Sequence, residues 1–144
     1  MTPLVRELRL VYSRSTVGPS PRVGRASDAV SLLQARLELE PVEVCVVLLL
    51  NTKHRAIGLH EVGRGTLDSC LVHPREVFKA AILANAAGLI FCHNHPSGDS
   101  TPSPEDLVLC TRLRQSAEIL GIDLLDFVIV GDGGRYYSLR ETGR

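Results

Sequence analysis

The chain has 144 residues, of which 44% are hydrophobic, enough to bury the core of one domain without disulfides or a structural metal and too apolar for a disordered chain. Sixteen Lys+Arg balance 16 Asp+Glu, which argues against a strongly basic nucleic-acid binder. Aromatics make up 4% with no Trp, so platforms for stacking single-stranded bases are poorly supplied.

In chain order, residues 1–26 read as an N-terminal strand and a basic linker, ahead of one domain over residues 27–144. Val5 to Tyr12 alternates polar and apolar residues and predicts a strand. Residues 1–25 hold Arg6, Arg9, Arg14, Arg22 and Arg25 against Glu7, and residues 15–25 are rich in Pro, Gly and Ser, as a linker or flap would be. Ser27 is a candidate N-cap for a helix from Asp28 to Glu40, which Pro41 ends. Val42 to Leu50 predicts a buried strand, residues 51–55 a turn, Ala56 to Gly63 a second strand, and Leu67 to Val72 a third. Pro74 opens a helix to Asn85, with His73 as its cap. A short apolar strand over residues 88–93 leads into His93-Asn94-His95. Ser103 starts a helix to Leu120 that Gly121 closes. Leu124 to Val130 and Tyr136 to Leu139 predict a hairpin across GDGGR. The sum is an α/β domain with a central mixed, mostly antiparallel sheet flanked by helices.

No apolar run is long enough to span a bilayer, the longest being Val44 to Leu50, and the N-terminus lacks the apolar stretch of a secretory signal. Cys45, Cys70, Cys92 and Cys110 are widely spaced without a C-x-x-C and read as reduced core thiols, so a cytoplasmic location is expected.

The chemistry concentrates in HNHPSGDSTPSPED, residues 93–106. His93 and His95 are two apart at a strand end, so both rings face one side and Asn94 faces away. Two imidazoles at that spacing can grip one metal ion, and Asp106, in the first turn of the next helix, is the candidate third ligand. Such a set leaves a fourth tetrahedral position open, the mark of a catalytic zinc site. The competing reading is local: Ser103-Pro104-Glu105-Asp106 has capping-box spacing and on that reading only starts a helix. Glu43 is the one charge between Pro41 and Asn51, in an otherwise apolar strand, where a carboxylate is costly to bury; an exposed strand start would make it harmless.

His93-x-His95-x7-Ser103-x2-Asp106 resembles the signature of the JAMM/MPN metalloprotease family. Glu43 leading VCVVLLLN, Gly65-Thr66-Leu67, Pro74-Arg75-Glu76-Val77, Asn85-Ala86-Ala87, HNHPSG and Leu124-Leu125-Asp126 resemble its RadC-like branch, over about residues 40–144. The resemblance implies the MPN, cytidine-deaminase-like architecture and Zn²⁺ on His93, His95 and Asp106. It implies Glu43 as catalytic acid–base, with Glu61 and Glu76 as rivals, and Ser103 as a hydrogen-bond donor to the oxyanion. It implies hydrolysis of a peptide or isopeptide bond in a protein or peptide substrate; family members act next to ubiquitin-like C-termini. Two features depart from the family. Phe127 stands where members commonly carry His, and residues 1–26 read as an Arg-containing strand and linker where longer RadC-like proteins carry an N-terminal helix-hairpin-helix module.

Two other classes compete. A DNA-associated role is suggested by the literal His-Asn-His string, although HNH nucleases disperse those residues over a ββα unit and the neutral charge gives duplex binding no support. A non-catalytic MPN scaffold is the other, weakened because all the metal ligands are kept.

Overall fold

The structure is a computed structural model and describes residues 1–13, 18–65 and 71–143. The elements run α1 (Ala26–Leu37), β1 (Val44–Leu50), β2 (Ala56–Arg64), α2 (Pro74–Leu83), β3 (Gly88–Asn94), α3 (Pro104–Leu120), β4 (Asp123–Val130) and β5 (Tyr136–Ser138). The strands form one sheet in the order β2-β1-β3-β4-β5, parallel between β3 and β4 and antiparallel elsewhere. The expected mixed, mostly antiparallel α/β domain is therefore what the chain adopts.

β1 and β3 are central and buried on both faces, which explains their unbroken apolar sequences VCVVLLL and GLIFC. Alternation divides their side chains between two cores. Cys45, Val47, Leu49, Leu89 and Phe91 pack with Val77, Phe78 and Ala81 of α2 and Leu113 of α3. Val44, Val46, Leu48, Leu50, Ile90 and Cys92 pack with Ala29, Val30, Leu33 and Leu37 of α1. Burying a side chain of this size is worth about 1.5–3 kcal/mol, so the two layers commit the sheet to one register. Cys45, Cys92 and Cys110 are buried thiols, as core packing required; Cys70 lies outside the described residues.

Several boundaries differ from expectation. Val5 to Tyr12 forms no strand: Leu4, Val5 and Leu8 are about four-fifths exposed, and among the described residues no strand takes up the backbone. The chain meets the sheet later, where Arg22 bridges Arg55 and Val23 N donates to His54 O. α1 starts before Ser27, because the Asp28 carboxylate accepts the amides of Gly24 (2.9 Å) and Arg25 (3.1 Å) and organises an earlier first turn. It stops at Leu37, short of Glu40, with Glu38 as its C-cap; the proline restriction itself reaches only Glu40. The strand expected over Leu67 to Val72 falls mostly outside the described residues, and Leu71 and Val72 carry no strand.

Candidate metal centre

β3 ends at Asn94, and the next amide, His95 N, still donates to Val130 O of β4 at 3.1 Å. His95 therefore keeps the strand's direction, and the two rings lie edge to face with centroids 5.0 Å apart. The loop after them turns back tightly. Gly98 N donates to His95 O at 2.8 Å, and Gly98 O accepts Asp132 N at 3.0 Å, seating the loop on the β4–β5 turn. Gly98 has φ +87°, and a Cβ there would collide with the Asp132 carboxylate, so glycine is required.

The loop delivers the N-terminus of α3 to the histidines. Ser103 caps the helix: its Oγ accepts Asp106 N at 3.1 Å, and Asp106 Oδ2 accepts Ser103 N at 2.8 Å. That is the capping box read from the spacing. The same Oδ2 lies 3.0 Å from His95 Nε2, and Oδ1 lies 3.1 Å from His93 Nε2. The cap and the ligand readings of Asp106 are thus one geometry: the box aims the carboxylate at both rings.

Glu43 precedes β1 on the neighbouring strand path, where Cys45 pairs with His93 in the ladder. It is 7% exposed, which rules out the harmless exposed strand start. Its Oε1 lies 2.9 Å from His93 Nδ1, and Asn94 O lies 3.4 Å from the same nitrogen. Both neighbours are acceptors, so the proton sits on Nδ1. On His95 the corresponding Nδ1 donates to Asp99 O at 2.8 Å. Each ring therefore anchors its far nitrogen and presents Nε2 to the shared carboxylate, the arrangement by which outer partners orient metal-binding histidines.

Electrostatics follow from that crowding. Burial opposes a charge on His93, but the carboxylates of Asp106 and Glu43 outweigh it and raise the imidazole to about 9. Burial likewise opposes a charge on His95, and the Asp106 contact lifts it above its ordinary value. Burial would raise Asp106; its contacts to His93 and His95 instead hold it far below the usual carboxylate range.

The donor set fits a cation. One donor atom each from Glu43, His93, His95 and Asp106 lies within 4.8 Å of every other. His93 Nε2 is buried and makes no hydrogen bond among the described residues; it faces Asp106 Oδ1 without the alignment a hydrogen bond needs. A buried polar atom left in this state is costly, and a cation shared with the carboxylate satisfies it. Phe127 closes the floor, edge-on to His93 at 5.6 Å and stacked on Phe91 at 5.1 Å. No histidine takes that place here.

The rival acids are engaged elsewhere. Glu61 pairs with Arg64 at 3.0 Å, and Glu76 pairs with Lys79 at 2.6 Å on the surface of α2. His73 Nδ1 accepts Arg75 N at 3.1 Å and caps α2, as expected from the sequence. Cys92 points to the opposite core, and burial pushes its thiol up. The four donors and Ser103 open onto a cleft of about 930 Å³, walled by Val72, Pro96, Val108 and Leu109. From the sequence, Asn94 is expected only to face away from the two rings. Its side-chain amide in fact spans to the main chain around Glu43, accepting Val44 N at 2.7 Å and donating to Val42 O at 3.0 Å. No local sequence signal marks a contact across 50 residues.

Residues 23–144 match the model of the RadC-like JAB domain. A UPF0758 protein of Caldanaerobacter subterraneus is 45% identical over 129 residues, 90% of this chain and 55% of the relative. UPF0758 proteins of Clostridium beijerinckii (43% over 122 residues) and Methanosarcina acetivorans (41% over 125) cover 85% and 87% of this chain, and 53% and 54% of their own length. The chain thus spans about half the length of the curated relatives it matches. Among the described residues, no helix is long and apolar enough to cross a membrane.

Proposed function

The chain belongs to the RadC-like JAB domain family, and on that premise we propose that it is a zinc-dependent hydrolase that cleaves a peptide or isopeptide bond in a protein or peptide substrate. The observation that carries the reading is one carboxylate facing two imidazoles, Asp106 Oδ1 3.1 Å from His93 Nε2 and Oδ2 3.0 Å from His95 Nε2, beside a buried Glu43. Two imidazoles and a carboxylate are the donors zinc takes in catalytic sites, so His93, His95 and Asp106 would hold it. When bound, zinc supplies Lewis acidity and lowers the pKa of a water it carries to about 7.

The remaining work falls to the protein. Glu43 contacts His93 through Oε1, which leaves Oε2 to accept a proton from the attacking water and pass it to the leaving amine. Ser103 spends a lone pair on the Asp106 amide, so its hydroxyl proton is available to an oxyanion forming in the cleft. Val72, Val108 and Leu109 give the cleft an apolar side against which an extended chain can lie. The proposed site is a reducing-compartment, cytoplasmic one, consistent with its buried thiols.

The test is turnover of a fluorogenic peptide and isopeptide library by zinc-loaded protein. Cleavage that Glu43→Gln slows by about 10²–10⁴-fold while zinc stays bound supports the reading. Equal rates in Glu43→Gln and the parent overturn the role of Glu43, and no cleavage of any member by the loaded parent counts against hydrolysis.

A further inference from the structure

Asn94 is 2% exposed and lies between the two histidines, yet its side chain takes no part in their cluster. Instead its amide bridges to the chain entering β1. Oδ1 accepts Val44 N at 2.7 Å and Nδ2 donates to Val42 O at 3.0 Å. These two main-chain groups flank Glu43. The third group there, Glu43 O, accepts Gly65 N at 2.9 Å. The orientation of the amide is forced, since only its oxygen can meet an N–H and only its nitrogen a C=O.

The clasp stands where the β1–β3 ladder stops. Cys45 with His93 is the last pair of that ladder, and beyond it the Asn94 side chain takes over the hydrogen bonds a strand would have made. On the other side of β1, Val44 is already paired with Arg64 of β2. The clasp ties the segment that carries Glu43 to the strand that carries His93 at the point where the two must meet.

We infer that Asn94 is a positioning residue: by gripping the main chain on both sides of Glu43 it sets where the Glu43 carboxylate stands relative to His93. Few side chains can do this. Aspartate offers no donor to Val42 O, serine reaches one partner, and glutamine is a methylene too long for the gap. The consequence for hydrolysis rests on the function proposed above; the placement of Glu43 does not, and it is tested without turnover.

The experiment uses the full chain, labelled with ¹⁵N and free of added metal, as parent, Asn94→Ala and Asn94→Asp, each also made on a Glu43→Ala background. Three quantities are read: hydrogen exchange of the Val44 amide, the ring ¹⁵N shifts of His93 and His95, and zinc taken up per chain on titration. Asn94→Ala should speed Val44 exchange about 10-fold or more, as loss of a buried hydrogen bond does. It should move the His93 ring shifts, leave those of His95, which Asp99 holds, and retain zinc uptake. On the Glu43→Ala background the same change should move His93 no further, because its effect travels through Glu43. Asn94→Asp keeps an acceptor for Val44 N, so it should protect that amide while still displacing His93. Should Asn94→Ala not fold, Asn94→Asp alone carries the comparison.

Unchanged Val44 exchange in Asn94→Ala overturns the clasp. A His93 shift of equal size with and without Glu43 overturns positioning and makes Asn94 a merely structural neighbour. Loss of zinc uptake equal to that of His95→Ala assigns Asn94 to holding the ligands and overturns it as well. None of these outcomes depends on hydrolysis, so a parent that cleaves nothing sinks the proposed function and leaves this inference standing.

Discussion

Asp106 Oδ2 lies 3.0 Å from His95 Nε2 while accepting the amide of Ser103 at 2.8 Å. One oxygen thereby joins the first turn of α3 to the end of β3. Separating these two duties is the first use of mutagenesis. His95→Ala removes a ligand and leaves the cap, so it should lose zinc and, from the metal-free protein, only the His95–Asp106 contact. Asp106→Ala removes both, and should lose zinc and also about 1 kcal/mol of metal-free stability. Urea melts beside zinc analysis check this; equal metal-free stability in the two variants would show that the box contributes nothing.

The raised histidines make zinc binding compete with protons over an unusual range. A ligand nitrogen must be deprotonated, and the metal-free fold holds His93 protonated up to about 9. Zinc affinity should therefore keep climbing from neutral pH to about 9, beyond the ordinary histidine range near 6.5. The sign for the metal-free fold is opposite. A histidine whose folded value is raised stabilises fully below its unfolded value, and that contribution is lost as pH rises through the folded value. Metal-free protein should lose stability between about 6.5 and 9, and zinc-loaded protein should not. Thermal melts and competitive zinc titrations across that window measure both; an affinity flat above pH 7 contradicts the coupling.

Ser103→Ala separates the hydroxyl from the ligands. It loses the acceptor for Asp106 N, which should cost about 1 kcal/mol, and keeps the Ser103 N contact to Asp106 Oδ2. Zinc content should be unchanged. Turnover of any peptide the parent cleaves should fall by roughly 10–100-fold, at or below the usual loss for one oxyanion donor. Parental kcat in Ser103→Ala would confine Ser103 to capping.

What was legible in the sequence was what is local. The residues His93, His95 and Asp106 sit within one strand–loop–helix unit, where side-chain alternation and a capping box fix directions, and the structure brings them together as the spacing implied. The sheet was legible for a related reason: strands buried on both faces show as unbroken apolar runs. Val5 to Tyr12 differs because alternation reports only a capacity for strand: among the described residues the segment pairs with neither edge strand, β2 or β5, and its apolar side chains stay largely exposed. The start of α1 was misplaced because Ser27 and Asp28 both suit an N-terminus, and only the fold shows that Asp28 takes the preceding amides. Glu43 was reached through its charge in an apolar run and a family resemblance. Its hold by Asn94 was out of reach, because a side-chain bond between residues 50 apart leaves no periodicity.

The most direct measurement is metal content of the purified chain by mass spectrometry of the element, after dialysis against metal-free buffer at pH 8. A site of three ligands, His93, His95 and Asp106, predicts one zinc per chain in the parent and in Glu43→Gln, and none in His95→Ala or Asp106→Ala. Trace zinc in a folded parent given excess metal, or zinc undiminished in His95→Ala and Asp106→Ala, would contradict it.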